Sequence, residues 1–161
     1  MPADPRRDYE LKITKAARNI ILNDEYFQAT YRDKNLYQKT QKTSWKIHER
    51  TLILFTIPSF PALAIHLDGI KWVGLVGIEP KILFECAWQD ADLAVAKAES
   101  IKSLKDIRYS IRENWNLSGV IDGEYTQIGA INFSEIETSF FGENDGNWTH
   151  ISTMEAEITT A

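Results

Sequence analysis

Within a stretch of some thirty residues the repeat of the apolar side chains changes from two to about 3.6, and this switch limits the fold more than any other feature of the chain. Ile82, Phe84, Cys86 and Trp88 alternate with Leu83, Glu85 and Ala87, which puts the first four on one face of a half-buried strand. Asp90 then reads as the cap of a helix, with Asp92 in its first turn, where the helix dipole favours negative charge. Along that helix Ala94, Ala98, Ile101, Leu104, Ile107, Ile111 and Trp115 recur at steps of three or four, while Lys97, Lys102, Lys105 and Arg112 fall mostly off the stripe. One side of the helix is therefore built to pack on a sheet. Asn116 and Gly119, which tolerate a left-handed turn, are expected to end it.

The rest of the chain supplies the other elements of an α+β domain. Leu11, Ile13, Ala16, Ala17, Ile20, Ile21 and Phe27 predict a first helix within residues 9–29. From Thr30 to Arg50 the sequence is polar and basic without period, as in a long loop or arm. Thr51–Ile57 and Ala62–Leu67 read as strands, the first ending at Pro58 and the second at an Asp68-Gly69 turn. Gly74–Pro80 suits a bend or hairpin and lacks a phosphate-cradling glycine pattern. Val120–Ile128, Ala130–Phe141 and Thr149–Thr160 form a C-terminal β-meander, divided by Gly129 and by the GENDGN turn at Gly142–Asn147. In the last strand Met154, Ala156 and Ile158 share one face and Thr153, Glu155, Glu157 and Thr159 the other, which must meet water or a polar channel.

Length and composition favour one domain, 1–161. The lone Cys86 forms no internal disulfide, MPADPRRDYE lacks the apolar core of a signal peptide, and Pro58, Pro61, Asp68 and Lys71 break the most apolar stretch, Thr51–Ile78. The expectation is a cytoplasmic chain that neither crosses nor binds a membrane. The net charge of −5 is unevenly spread: residues 1–50 carry 11 basic and 7 acidic side chains, and residues 51–161 carry 7 and 16. No Lys or Arg follows Arg112, so the C-terminal third repels phosphate.

No catalytic, metal-binding or cofactor-binding constellation emerges. His48, His66 and His150 stand apart from metal-ligand partners, and His66 reads as a partly buried strand residue bonded to backbone. Cys86 reads as a small core side chain, and Asp145 in ENDGN as a turn residue, because the EF-hand pattern with its closing Glu is missing. Asn116-Leu-Ser and Asn147-Trp-Thr are chance matches to glycosylation acceptors in a chain without a secretory signal. Arg32, Lys34, Lys39, Lys42 and Lys46, interleaved with Tyr31, Tyr37 and Trp45, form the one candidate for nucleic-acid contact; equally, they suit an arm that docks on an acidic neighbouring subunit. A small α+β enzyme or ligand-binding domain, with a pocket between the long helix and the sheet holding His66, Asp68 and Trp72, stays open as the reading from another class.

Over about residues 60–160 the chain resembles the tail terminator, or tail completion, proteins of long-tailed bacteriophages. The stretches that carry the likeness are PALAIHLDG at Pro61–Gly69, ILFECAW running into QDADLAVAKAESIKSLKDIRYSIREN, NLSGVIDGEYTQI at Asn116–Ile128 and WTHISTMEAEIT at Trp148–Thr159. No catalytic motif defines that family, so the likeness is one of element order and texture. It implies an antiparallel sheet with helices packed on one face, in a virion protein that assembles in the host cytoplasm into a hexameric ring. Such a ring caps the tail tube, joins it to the head connector or neck, and lets DNA pass through its lumen. On that reading Glu135, Glu137, Glu155 and Glu157 are candidates to face the lumen, and Arg32, Lys34, Tyr37, Lys39, Lys42, Trp45 and Lys46 to form the docking arm. Another neck or head–tail joining component is the nearest alternative within the virion.

Overall fold

The computed structural model describes residues 9–27, 47, 60–73, 77–114 and 128–160. Helix α1 spans Tyr9–Leu22, strand β1 Ala62–Val73, β2 Gly77–Asp90, helix α2 Leu93–Glu113, β3 Ile128–Phe133, β4 Glu137–Asn144 and β5 Asn147–Thr160. The described strands form one five-stranded sheet in the order β1-β2-β5-β3, with β4 also paired to β5. All pairings are antiparallel. The α+β class inferred from the sequence is the class observed.

Strand β2 places Ile82, Phe84, Cys86 and Trp88 in the core, as their alternation predicted. Its register carries the pattern to both neighbours: Leu63 and Ile65 of β1, and Met154, Ala156 and Ile158 of β5, point to the same side. Against that side pack Ile13, Ala16, Ala17, Ile20 and Ile21 of α1 with Phe27, and Leu104, Ile107 and Ile111 of α2. Both helices thus cover one face. Leu11, expected on the packed side of α1, is 56% exposed. Beyond α1 the Asp24 carboxylate accepts from Phe27 N at 3.1 Å and from Ser110 Oγ at 2.7 Å, which ties the end of α1 to α2.

Helix α2 departs from the predicted phase in its first half. Ala94 and Ala98 are exposed, and the buried line is Ala96, Ser100, Ser103, Leu104, Ile107, Ser110 and Ile111. Serines are small enough for the helix to approach the sheet closely, and each hydroxyl finds a partner. Ser100 Oγ donates to Lys97 O at 2.9 Å, so the 2.7 Å contact with Ser152 Oγ uses the Ser152 proton. Ser103 Oγ donates to Glu99 O and accepts from Trp88 Nε1, both close to 2.9 Å. Caps are also shifted: Asp92, not Asp90, caps the helix by accepting from Ala94 N at 2.9 Å, and Asp90 ends β2 and accepts from Asp92 N at 2.8 Å. The helix closes at Glu113 with Asn114 as its C-cap, earlier than expected; Trp115, Asn116 and Gly119 lie outside the described residues.

Bulges alter the strands as read from sequence. The Asp68-Gly69 pair does not turn the chain; Asp68 is an extra residue between Leu67↔Ile82 and Gly69↔Lys81, and β1 runs on to Val73. β1 and β2 pair as far as Val73↔Gly77, so Gly77–Pro80, expected within a bend or hairpin, belong to strand β2, and 74–76 lie outside the described residues. β3 and β4 lie end to end along one side of β5 as a single interrupted strand, so Gly129, expected to divide two strands, lies within β3 and the expected strand Ala130–Phe141 is broken at 134–136; one residue is gained at each of three register shifts: Ile128/Ala130, Phe133/Glu137 and Phe140/Glu143. At the middle shift Ser134 N donates to Glu155 O at 2.8 Å and Ser134 Oγ accepts from Glu155 N at 2.9 Å, so a side chain completes the ladder. Asn144↔Asn147 closes the β4–β5 hairpin over Asp145 and Gly146, both at positive φ (51° and 80°), the pattern of a type I′ turn. The predicted strands Thr51–Ile57 and, but for Ile128, Val120–Ile128 lie outside the described residues.

Candidate functional site

The sheet face turned away from the helices collects most of the sequence-selected acids. Glu155 and Glu157 of β5 lie on it, opposite Leu83 and Lys81 of β2. Glu137, opposite Thr153, shares the face and is exposed. Glu135 stands exposed in the break between β3 and β4.

Two of these acids are not bare. Lys81 Nζ lies 3.7 Å from Glu155, and Lys71 Nζ lies 3.6 Å from Glu157 and 3.8 Å from Glu79. The sequence reading missed these pairs because the lysines come from β1 and β2; only cross-strand register brings them together. Each pair is partly exposed and contributes about 0–1 kcal/mol, so its weight is in local charge more than in stability. Two lysines set against Glu79, Glu137, Glu155 and Glu157 leave the face acidic, though less so than a chain without cations after Arg112 suggested.

Nearer the hairpin end the same face turns apolar and buried. Ala62, Ala64, Ala87 and Ile151 form a second cluster, with Phe60 packed against it. Beside it His66 Nε2 meets Glu85 Oε1 at 2.9 Å, with Glu85 only 5% exposed. The His66 ring is thus bonded to a carboxylate, a partner the sequence reading did not name. This pair sits on the face opposite α2, so the imagined pocket between long helix and sheet does not contain His66; Asp68 is exposed and Trp72 is 69% exposed. Cys86 points into the core on the other side of the sheet from His66, so that thiol and the His66 imidazole do not converge. Among the described residues no group of three or more His, Cys, Asp or Glu could hold a metal ion, and no helix is long and apolar enough to cross a membrane.

His150, on the helix-facing side of β5, is held below the ordinary imidazole range, first by burial and then by the charge of Lys97. On the outer side of α2, Lys102 donates to the Tyr26 hydroxyl and to Asp106 at 3.0 Å, and these bonds raise its pKa. One turn further on, a cleft of about 350 Å³ opens along Lys105, Asp106, Arg108, Tyr109 and Arg112. The Arg108 guanidinium lies 5.7 Å from the centre of the Phe133 ring, which fixes the cleft at the β3 end of the sheet.

No protein-family model and no curated protein matches this chain. His48 and the proposed arm, Arg32, Lys34, Tyr37, Lys39, Lys42, Trp45 and Lys46, lie outside the described residues. The site is therefore a set of surfaces: an acidic sheet face, and a basic cleft on the outer helix.

Proposed function

We propose that this chain is a structural subunit of a phage tail, a ring-forming tail terminator that closes the tail tube and joins it to the head or neck, and that it makes or breaks no covalent bond. The observation that carries the reading is the two-layer build, in which both helices cover one sheet face and Glu137, Glu155 and Glu157 share the other. In a ring of such subunits an acidic face toward the lumen keeps passing DNA from sticking to the wall, because like charge at close range repels the phosphate backbone. The cross-strand lysines moderate the field without creating a phosphate grip, since each is engaged by a glutamate. The resemblance in element order to terminator proteins supports the same role.

Electron microscopy of the purified chain mixed with tail tubes tests the proposal. Rings seated on tube ends are the expected result. A chain that ignores tube ends, and that as a single copy turns over a small substrate at His66 and Glu85, would overturn it.

A further inference from the structure

Resting on the ring reading, we infer that the basic cleft of α2 is the docking surface for a second copy of this chain, and that its occupant is the β4–β5 hairpin tip of that copy. The cleft is lined by Lys105, Arg108 and Arg112, all exposed, around Tyr109, which is 67% exposed. Asp106, also in the lining, is engaged by Lys102, and the exposed Glu113 beside Tyr109 and Arg112 offsets one of the three cations, so the surface stays net positive with an aromatic centre. The hairpin tip has the opposite character. Asp145 is exposed on a two-residue turn, the narrowest way to end a β-hairpin, and Glu143 is exposed near the end of β4 beside it; the Glu143 carboxylate accepts from Gly146 N at 2.8 Å, which holds the acidic tip in one shape.

The two surfaces cannot meet within one subunit. Helix α2 begins beside the hairpin end of the sheet, where Asp90 pairs with Trp148, and runs alongside β5: Ser100 meets Ser152, and Arg108 reaches Phe133, the partner of Ala156. From Asn147 at the tip to Ala156 at the cleft is nine residues, or roughly 30 Å at about 3.3 Å per strand residue. A basic cleft at one end and an acidic tip at the other make a head-to-tail contact, which propagates from copy to copy and closes when the rotation permits. Complementary charge of this kind sets register and speeds encounter.

Sedimentation of the full chain over a concentration series, at low and high salt, tests the assignment. Concentration-dependent association, weaker in high salt, is expected of the unmodified chain. Arg112→Glu or Glu143→Lys alone should weaken it by about tenfold. Mixing these two variants should restore it, because each then offers the other one native and one reversed contact. Asp145→Asn, which keeps a residue tolerant of positive φ, should weaken association with the turn intact, and thermal unfolding of each variant checks that it folds. Association indifferent to all these changes, or an unmodified chain that stays single at every concentration and salt, overturns the docking surface. Binding of duplex DNA that Arg112→Glu abolishes, with no self-association, reassigns the cleft to phosphate and likewise overturns it. Rings on tube ends that ignore the same substitutions would leave the tail reading standing and remove only this interface.

Discussion

Ser100 shows how a polar residue can belong to a core. Its hydroxyl is fully buried between Lys97 O and Ser152 Oγ, and its size sets how closely α2 approaches β5. Ser100→Ala removes the hydrogen bonds and is expected to cost about 1 kcal/mol. Ser100→Leu must force helix and sheet apart and is expected to cost about 1–3 kcal/mol, so the more hydrophobic variant is the less stable one. Urea denaturation of both checks the order. His150 gives a pH dependence of known sign. Its folded pKa lies below the ordinary 6.5, so below pH 6.5 the unfolded chain binds more protons than the folded one, and stability falls as pH drops toward the folded value. Above 6.5 the group contributes no slope. The denaturation midpoint followed from pH 7.5 to 5 should decline in the native chain and decline less in His150→Gln.

Among the elements, the ones legible in the sequence were those whose burial follows a simple period. β2 and the inner line of β5 were legible because sheet alternation separates core from surface residue by residue. In α1 the apolar positions Ile13, Ala16, Ala17, Ile20 and Ile21 were legible for the same reason, at a longer period, whereas Leu11 is exposed and the buried Thr14 escaped a search for apolar side chains. The first half of α2 was misread because a search for apolar side chains slides past Ser100 and Ser103 to Ala94 and Ala98. Bulges escaped as well: Asp68-Gly69 has turn composition, yet the register on both sides of it continues the strand. Two terminal devices are open to test by thermal unfolding. Asp92→Ala should cost about 1 kcal/mol by freeing the Ala94 amide, with the same change at Asp90 costing less. Gly146→Ala should cost about 1–2 kcal/mol from backbone strain alone, since an added Cβ there meets no atom within 4 Å and φ is +80°.

For the whole molecule, charge carries more of the account than shape does. The split between a basic first third and an acidic remainder is visible in composition, but its folded arrangement is not, because pairing Lys71 and Lys81 with Glu157 and Glu155 needs the strand order β1-β2-β5. The candidate lumen residues could be listed from parity in β5 alone. Their neutralisation, and the opposed charge of cleft and hairpin tip, depend on contacts far apart in sequence. A ring wall of this kind should respond to charge without unfolding: Glu137→Lys, at an exposed position opposite Thr153, is expected to leave stability within about 0.5 kcal/mol while it raises retention of duplex DNA by assembled rings in a filter-binding assay. As proposed, this subunit ends a tail. The direct measurement is the distribution of tail lengths in particles assembled without it: overlong tails or tails without heads are predicted, and tails of normal length joined to filled heads would contradict the account.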